Sequence, residues 1–144
     1  MPAKPRATMP ASSKVVDSWA MIAWLLDEAG ASEVETSLQQ AEAGELRLLM
    51  SWINVGEVYY IAARRHDRAR ADAFLKRLAS LPVRLVLPEE SDIIAAARLK
   101  SARRLAYADA FAAALAMREQ AAVITGDPEI RVLKDLVAVE WIGA

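Results

Sequence analysis

Apolar residues along the chain fall into two patterns, short continuous runs and longer stretches at helical spacing. KVVD at 14–17 predicts a first strand, and SWAMIAWLLDE at 18–28 predicts a helix that Gly30 breaks. A second helix is expected over 32–43. RLLMS at 47–51 is the second strand candidate, followed by helices over 53–65 and 68–80, the latter ended by Leu81-Pro82. VRLVL at 83–87 predicts a third strand, and Pro88 opens a helix to about residue 101. An alanine-rich helix around LAYADAFAAALA (105–116) comes next. The strand AAVIT (121–125), a short helical turn from Asp127 and a last strand over 136–142 complete the pattern.

Strands that alternate with helices imply βαβ units and a mostly parallel sheet covered on both faces. The cores of the strand candidates, VVD, LLM, LVL and AVIT, are apolar almost throughout, as strands buried on both sides should be. The expected fold is therefore α/β, a three-layer α/β/α sandwich with a mostly parallel central sheet. The first thirteen residues, MPAKPRATMPASS, hold Pro, Ser and scattered basic residues but no apolar stretch of the secretory kind. They are expected to be a flexible tail ahead of one domain over 14–144, and Met9 within them is a candidate start.

Composition narrows the chemistry. With 144 residues and 55% hydrophobic composition, the chain can build one real core. Its longest uninterrupted apolar run, Trp19 to Leu26, has eight residues, far short of the ~20 a membrane-spanning helix needs. No membrane association is expected, and the domain reads as soluble and cytoplasmic. The absence of cysteine removes disulfides, Cys-ligated zinc and thiol catalysis, and a single histidine, His66, argues against His-rich metal sites and Ser-His-Asp triads. Any metal must be held by oxygen, which points to Mg²⁺ or Mn²⁺. The net charge of −1 is no general nucleic-acid signature, although RRHDRAR (64–70) and KSARR (100–104) concentrate positive charge locally.

Sites in open parallel sheets form outside the carboxyl ends of strands, near a topological switch point. Asp17 ends the first strand candidate and Asp127 follows the fourth, while Glu57 and Asp109 lie near the starts of helices. Spacings of 40, 52 and 18 residues are too long for a local motif but suit a fold that gathers one acid from each of several connections. Each acid also has a plainer reading. Asp17 suits an N-cap before Ser18, and Glu57 three residues after Asn54 suits a variant capping box. Asp127 followed by Pro128 suits an N-cap with proline at the first helical position. Asp109 would gain only a little from the helix dipole, and its alanine neighbours mark a crowded face on which capping needs no acid. Capping explains the acids one at a time. Four converging carboxylates need a cation, and a hard divalent ion explains them together; it can also activate water and stabilise charge at phosphorus.

KVVDSWAMIAWLLDE, INVGEVYYIAAR, YADAFAAALA and VITGDPEI, in that order, resemble the PIN-domain ribonucleases, and among them the VapC-type toxins of bacterial toxin–antitoxin pairs. The resemblance runs from Lys14 nearly to the end of the chain. It implies a Mg²⁺- or Mn²⁺-dependent endoribonuclease in which metal-activated water attacks a phosphodiester in line. The acidic positions of the family carry over as Asp17, Glu57, Asp109 and Asp127. By this resemblance Asp17 and Asp109 are direct ligands, Asp127 completes the metal site, and Glu57 holds a water of the metal or orients the nucleophile. Thr125 would support the site through its hydroxyl, and Ser18 occupies a position where a small polar residue recurs. The resemblance also implies a homodimer and inhibition by a small cognate antitoxin in the groove, alone or as a hetero-oligomer.

Other residues carry weaker signals. Arg103 and Arg104, just ahead of the Asp109 helix, are candidates for RNA phosphate contacts. His66 reads as a solvated helix end, and RRHDRAR as an exposed helix junction. Trp19, Trp24, Trp52 and Trp141 read as core or dimer interface, and Tyr59 and Tyr60 cannot both face inward. Two alternatives stand beside the nuclease. A haloacid-dehalogenase-like phosphatase also places Asp after its first strand, but needs a second carboxylate where Trp19 stands. A catalytically silent PIN-like module binding RNA or an antitoxin would be expected to have lost acids, whereas all four are present.

Overall fold

Neighbouring strand residues enter different cores, as a sheet covered on both faces requires. The computed structural model describes residues 12–144. Its strands are β1 (Ser12–Val16), β2 (Leu46–Ser51), β3 (Arg84–Val86), β4 (Ala122–Thr125) and β5 (Val139–Trp141). The helices are α1 (Ser18–Leu25), α2 (Ala31–Glu42), α3 (Trp52–Arg65), α4 (Arg68–Leu78), α5 (Glu90–Ala102) and α6 (Tyr107–Glu119), and a short 3₁₀ helix covers Pro128–Leu133. Val16, Leu48, Met50 and Ile124 pack into one core with α1, α2, α3 and α4. Val15, Leu49 and Val123 pack into the other with α5 and α6.

All five strands pair in parallel, in the order β3-β2-β1-β4-β5. The chain moves outward from β1 to β3, then returns through α5 and α6 to lay β4 on the other side of β1. The carboxyl ends of β1 and β4 are thus the switch point of the sheet. Helix α6 packs across β1, β2 and β4 as well as against α3 and α5. Its buried alanines, Ala110, Ala112, Ala113, Ala114 and Ala116, keep that packing close.

The expected sandwich is therefore present, with a sheet parallel throughout. Differences lie at element ends. Residues 1–11, most of the expected tail, lie outside the described residues, and β1 takes in Ser12 and Ser13 rather than starting at Lys14. Helix α1 stops at Leu25, not 28, because Asp27 adopts a left-handed conformation with φ 54°. The Asp27 and Glu28 N–H groups then donate to the carbonyls of Trp24 (3.4 Å) and Ala23 (2.8 Å), closing the helix in a Schellman turn. Helix α5 begins at Glu90, after Pro88, where Asp92 Oδ2 accepts from the Glu89 N–H at 2.9 Å. The outer strands β3 and β5 have three residues each, and among the described residues no further strand pairs beyond them. Among the described residues, no helix is long and apolar enough to cross a membrane.

Candidate active site

The four predicted acids arrive at the carboxyl edge of the sheet from three layers. Asp17 is the first residue beyond β1, and its Oδ1 accepts from the Ala20 N–H at 2.8 Å, capping α1. Asp127 lies two residues beyond β4 and caps the 3₁₀ helix, accepting from the Glu129 N–H at 2.9 Å. The Asp127 N–H in turn donates to the Thr125 hydroxyl at 3.0 Å. The capping readings of both residues hold, and neither prevents their meeting at the switch point. Glu57 is different. Ser51 caps α3, accepting from the Ile53 N–H at 3.1 Å, so Asn54 and Glu57 form no capping box. Glu57 stands in the second turn of α3, where the Tyr60 hydroxyl donates to it at 3.4 Å. Asp109 is the third residue of α6, which is entered from Ala106 with no side-chain cap.

Glu57, Asp109 and Asp127 line a groove of about 230 Å³, and Asp17 lies wholly buried beside them. Burial pushes the Asp17 carboxyl from its usual 3.8 up to about 7, and the charges of Asp109 and Asp127 push the same way. The Thr125 hydroxyl and the Ala20 N–H oppose that rise. Asp109 is also raised to about 7, first by burial, then by Asp127, Glu57 and Glu129, with no compensating hydrogen bond among the described residues. These shifts have the physical signature of carboxylates crowded together without a counter-charge.

The donor set suits a hard divalent cation. Every candidate ligand is a carboxylate oxygen, and Asp17 Oδ2 is buried with no hydrogen-bond partner. Convergence is electrostatic rather than coordinating as the side chains lie: among the described residues, no three acids stand in position to hold one ion together.

Two contributors escape the sequence reading. Glu129, the second acid of DPE, lines the groove and raises Asp109. Its signal was present, but a residue following an N-cap and proline reads as an ordinary first-turn acid. Asn54 is fully buried beneath the acids. Its Nδ2 donates to Ser18 Oγ at 2.9 Å and to the Ala108 carbonyl at 3.1 Å, tying α3 to α1 and to the first turn of α6. Because a carbonyl only accepts, the Ala108 contact fixes which way the amide points. Ser18 therefore acts on Asn54, not on a carboxylate.

The basic candidates sit elsewhere. Arg103 donates to both oxygens of Asp135, at 2.7 and 3.0 Å, and to the Val132 carbonyl at 2.6 Å. It lines a separate, largely apolar cavity of about 510 Å³ between α5 and α6 that shares no lining residue with the acidic groove. Arg104 is exposed. The cation lining the groove is Arg65, at the end of α3. His66 and the RRHDRAR segment form the exposed α3–α4 junction, where Asp67 caps α4. Trp19 and Trp24 pack at the edge of the core, while Trp52 and Trp141 are exposed. Tyr60 points outward, and the Tyr59 hydroxyl donates to Asp72 at 2.7 Å. Trp19 has a further part: a Cβ added at Gly126 would lie 2.3 Å from its ring, so only glycine fits the TGD turn that carries Asp127.

The PIN domain family model matches residues 14–136. Among solved structures, the chain is similar to VapC20 of Mycobacterium tuberculosis, described as a sarcin-ricin loop cleaving toxin. That match has a TM-score of 0.69 at 17% identity, covering 82% of this chain and 92% of that one. It is also similar to VapBC2 from Rickettsia felis bound to a DNA fragment from their promoter, with a TM-score of 0.69 at 13% identity over 89% of this chain and 97% of that one. VapBC-5 of M. tuberculosis, of the VapBC family of toxin-antitoxin systems, gives a TM-score of 0.61 at 20% identity, covering 92% and 99%. At these identities the likeness is one of fold. A comparison with curated proteins matches none of them. The family match spans most of the sequence, and the sheet order agrees with the fold of the similar structures; the chain belongs to the PIN-domain family.

Proposed function

We propose that the protein is a Mg²⁺- or Mn²⁺-dependent endoribonuclease, the toxin of a VapBC-type pair, acting in the cytoplasm. The observation that carries this reading is the pair Asp17 and Asp109, two buried acids brought together from the end of β1 and the first turn of α6, both raised to about 7. Burying two acids side by side without a counter-charge costs the fold stability, and a bound cation would offset that cost.

Asp17 and Asp109 would hold the ion, and Asp127 would complete its site once the side chains turn toward it. When bound, the cation neutralises the acids, lowers the pKa of water and stabilises charge developing at phosphorus. Asp17 is prepared for this role by its cap hydrogen bond, which fixes Oδ1 and leaves Oδ2 unpartnered. Glu57, partly exposed at the groove, would hold the attacking water by a hydrogen bond and orient it toward phosphorus. Thr125 steadies the Asp127 backbone, and Asn54, held by Ser18, fixes the turn that carries Asp109. The groove is open, which suits a single strand whose backbone can enter it.

A small antitoxin occupying the groove as inhibitor, and a homodimer as the working unit, accompany this reading. The fold likeness to a toxin–antitoxin complex from Klebsiella pneumoniae is consistent with the first.

RNA cleavage by wild type, Asp17→Asn and Asp109→Asn, with Mg²⁺, Mn²⁺ or EDTA, tests the proposal. Cleavage that needs metal and is lost in both variants is the expected result. Cleavage in EDTA, or full activity in both variants, contradicts it.

A further inference from the structure

The groove has a second end. Glu57, Ile61 and Arg65 recur every four residues along α3, share one face of the helix, and all line the groove. Eight residues at the helical rise place Arg65 about 12 Å from Glu57. Trp19, Ile22 and Ile61 give the groove an apolar lining as well. Among the described residues, Arg65 is the one cation lining this otherwise acidic groove. Its Nη1 donates to Glu28, at 3.1 Å to one oxygen and 3.4 Å to the other.

Glu28 is delivered there by the Schellman turn that closes α1, whose left-handed position is filled by Asp27 rather than glycine. The two partners are half exposed, at 50% and 49%. An ion pair so open to water contributes little to stability, and its guanidinium is easily exchanged to another anion. A phosphodiester is a fitting replacement, because the planar guanidinium can grip two of its oxygens at once. A polyanion entering this groove meets repulsion from the acids, which a metal relieves at one end only. The chain's own counter-charge stands at the other end.

We infer that Arg65 and Glu28 form a second subsite, in which Arg65 binds a backbone phosphate away from the scissile one and Glu28 holds the guanidinium until RNA displaces it. The subsite rests on the ribonuclease reading above. It assigns Arg65 a positioning role: it anchors the strand and touches no reacting atom.

The two partners are thereby given opposite effects. Binding of a fluorescein-labelled single-stranded oligoribonucleotide is measured by anisotropy in Mg²⁺, on an Asp17→Asn background that suppresses cleavage, over a range of salt. Arg65→Gln is expected to weaken binding about tenfold and to reduce the slope of log K against log salt by about 0.7, the value for one phosphate contact on a single strand. Arg65→Lys retains the slope with part of the affinity. Glu28→Gln tightens binding, because the competing carboxylate is gone. A clamp that merely joins α1 to α3 predicts that Arg65→Gln and Glu28→Gln weaken binding alike, and that result overturns the subsite. Unchanged affinity and slope in Arg65→Gln overturn it too, and would leave Arg65 to contacts with a protein partner. Absence of RNA cleavage by the wild-type protein in Mg²⁺ or Mn²⁺ counts against the ribonuclease reading itself, and the subsite falls with it.

Discussion

Asn54 donates a hydrogen bond to the hydroxyl of Ser18 across 2.9 Å, with both side chains buried under the acidic groove. The same amide reaches the Ala108 carbonyl at 3.1 Å, next to Asp109. One side chain thereby sets the spacing of three helices that approach the sheet edge from both faces. Asn54→Ala leaves a buried carbonyl and hydroxyl short of a partner, at a cost of about 2–3 kcal/mol. Urea unfolding should show that loss. Cleavage should fall at least tenfold under conditions where the variant is fully folded, since the turn bearing Asp109 is no longer held.

The raised acids make metal-free stability depend on pH in a definite direction. Asp17 and Asp109 ionise at about 7 when folded but near 3.8 when unfolded. Between those values the folded state holds protons that the unfolded state has released. Their contribution therefore falls as pH rises through about 4 to 7 and stays low above that window. For one group alone the change approaches ~4 kcal/mol, and the two are coupled, so the effects do not simply add. Urea midpoints in EDTA should show wild type losing stability relative to Asp17→Asn as pH rises across this window. Added Mg²⁺ should restore wild type most at the upper end. A difference that is flat with pH would mean that the Asp17 carboxyl is not raised in the folded protein.

Gly126 has no room for a side chain, because a Cβ there would meet the Trp19 ring at 2.3 Å. Gly126→Ala should destabilise by about 1–3 kcal/mol as ring and turn separate. Cleavage should fall as well, since the same turn carries Asp127. In a double-mutant cycle with Trp19→Leu, the two changes should couple, the second costing less once the first is made. Purely additive costs would show that the turn yields in some other direction.

The parallel core was legible because the central stretches Val15–Val16, Leu48–Met50 and Val123–Ile124 are buried on both faces and so read as apolar runs. The acids were legible because Asp17 and Asp127 directly follow strands and Glu57 and Asp109 lie near the starts of helices, at the edge where sheets of this kind place their chemistry. What escaped is non-local or locally ambiguous. Asn54 reads as a capping residue until its partners 36 and 54 residues away are known. Glu129 is masked by the N-cap just before it. The early end of α1 depends on Asp27 entering a left-handed conformation usual for glycine, which composition does not announce. Edge strands β3 and β5 pair on one side only, so the apolar runs VRLVL and LVAVEWI overstate their length.

Arg103 illustrates the same limit. Its proximity in sequence to Asp109 suggested a phosphate contact, but its guanidinium is engaged by Asp135, 32 residues on. That pair is open to solvent, so Arg103→Gln should cost little stability. Oligoribonucleotide affinity and its salt dependence should remain within about twofold of wild type, in contrast to the effect at Arg65. A loss comparable to that of Arg65→Gln would show that RNA recruits Arg103 away from Asp135.

The central claim is that buried acids at the switch point exist to be neutralised by a divalent cation. Calorimetric titration of Mn²⁺ into metal-free protein, in two buffers of different ionisation enthalpy, tests it directly. At pH about 6.5, binding should release about one proton or more, because Asp17 and Asp109 are then largely protonated. The release should fade near pH 8.5, and binding should vanish in the Asp17→Asn, Asp109→Asn double variant. Absence of Mn²⁺ binding in wild type, or equal binding by the double variant with no proton release, would contradict the account.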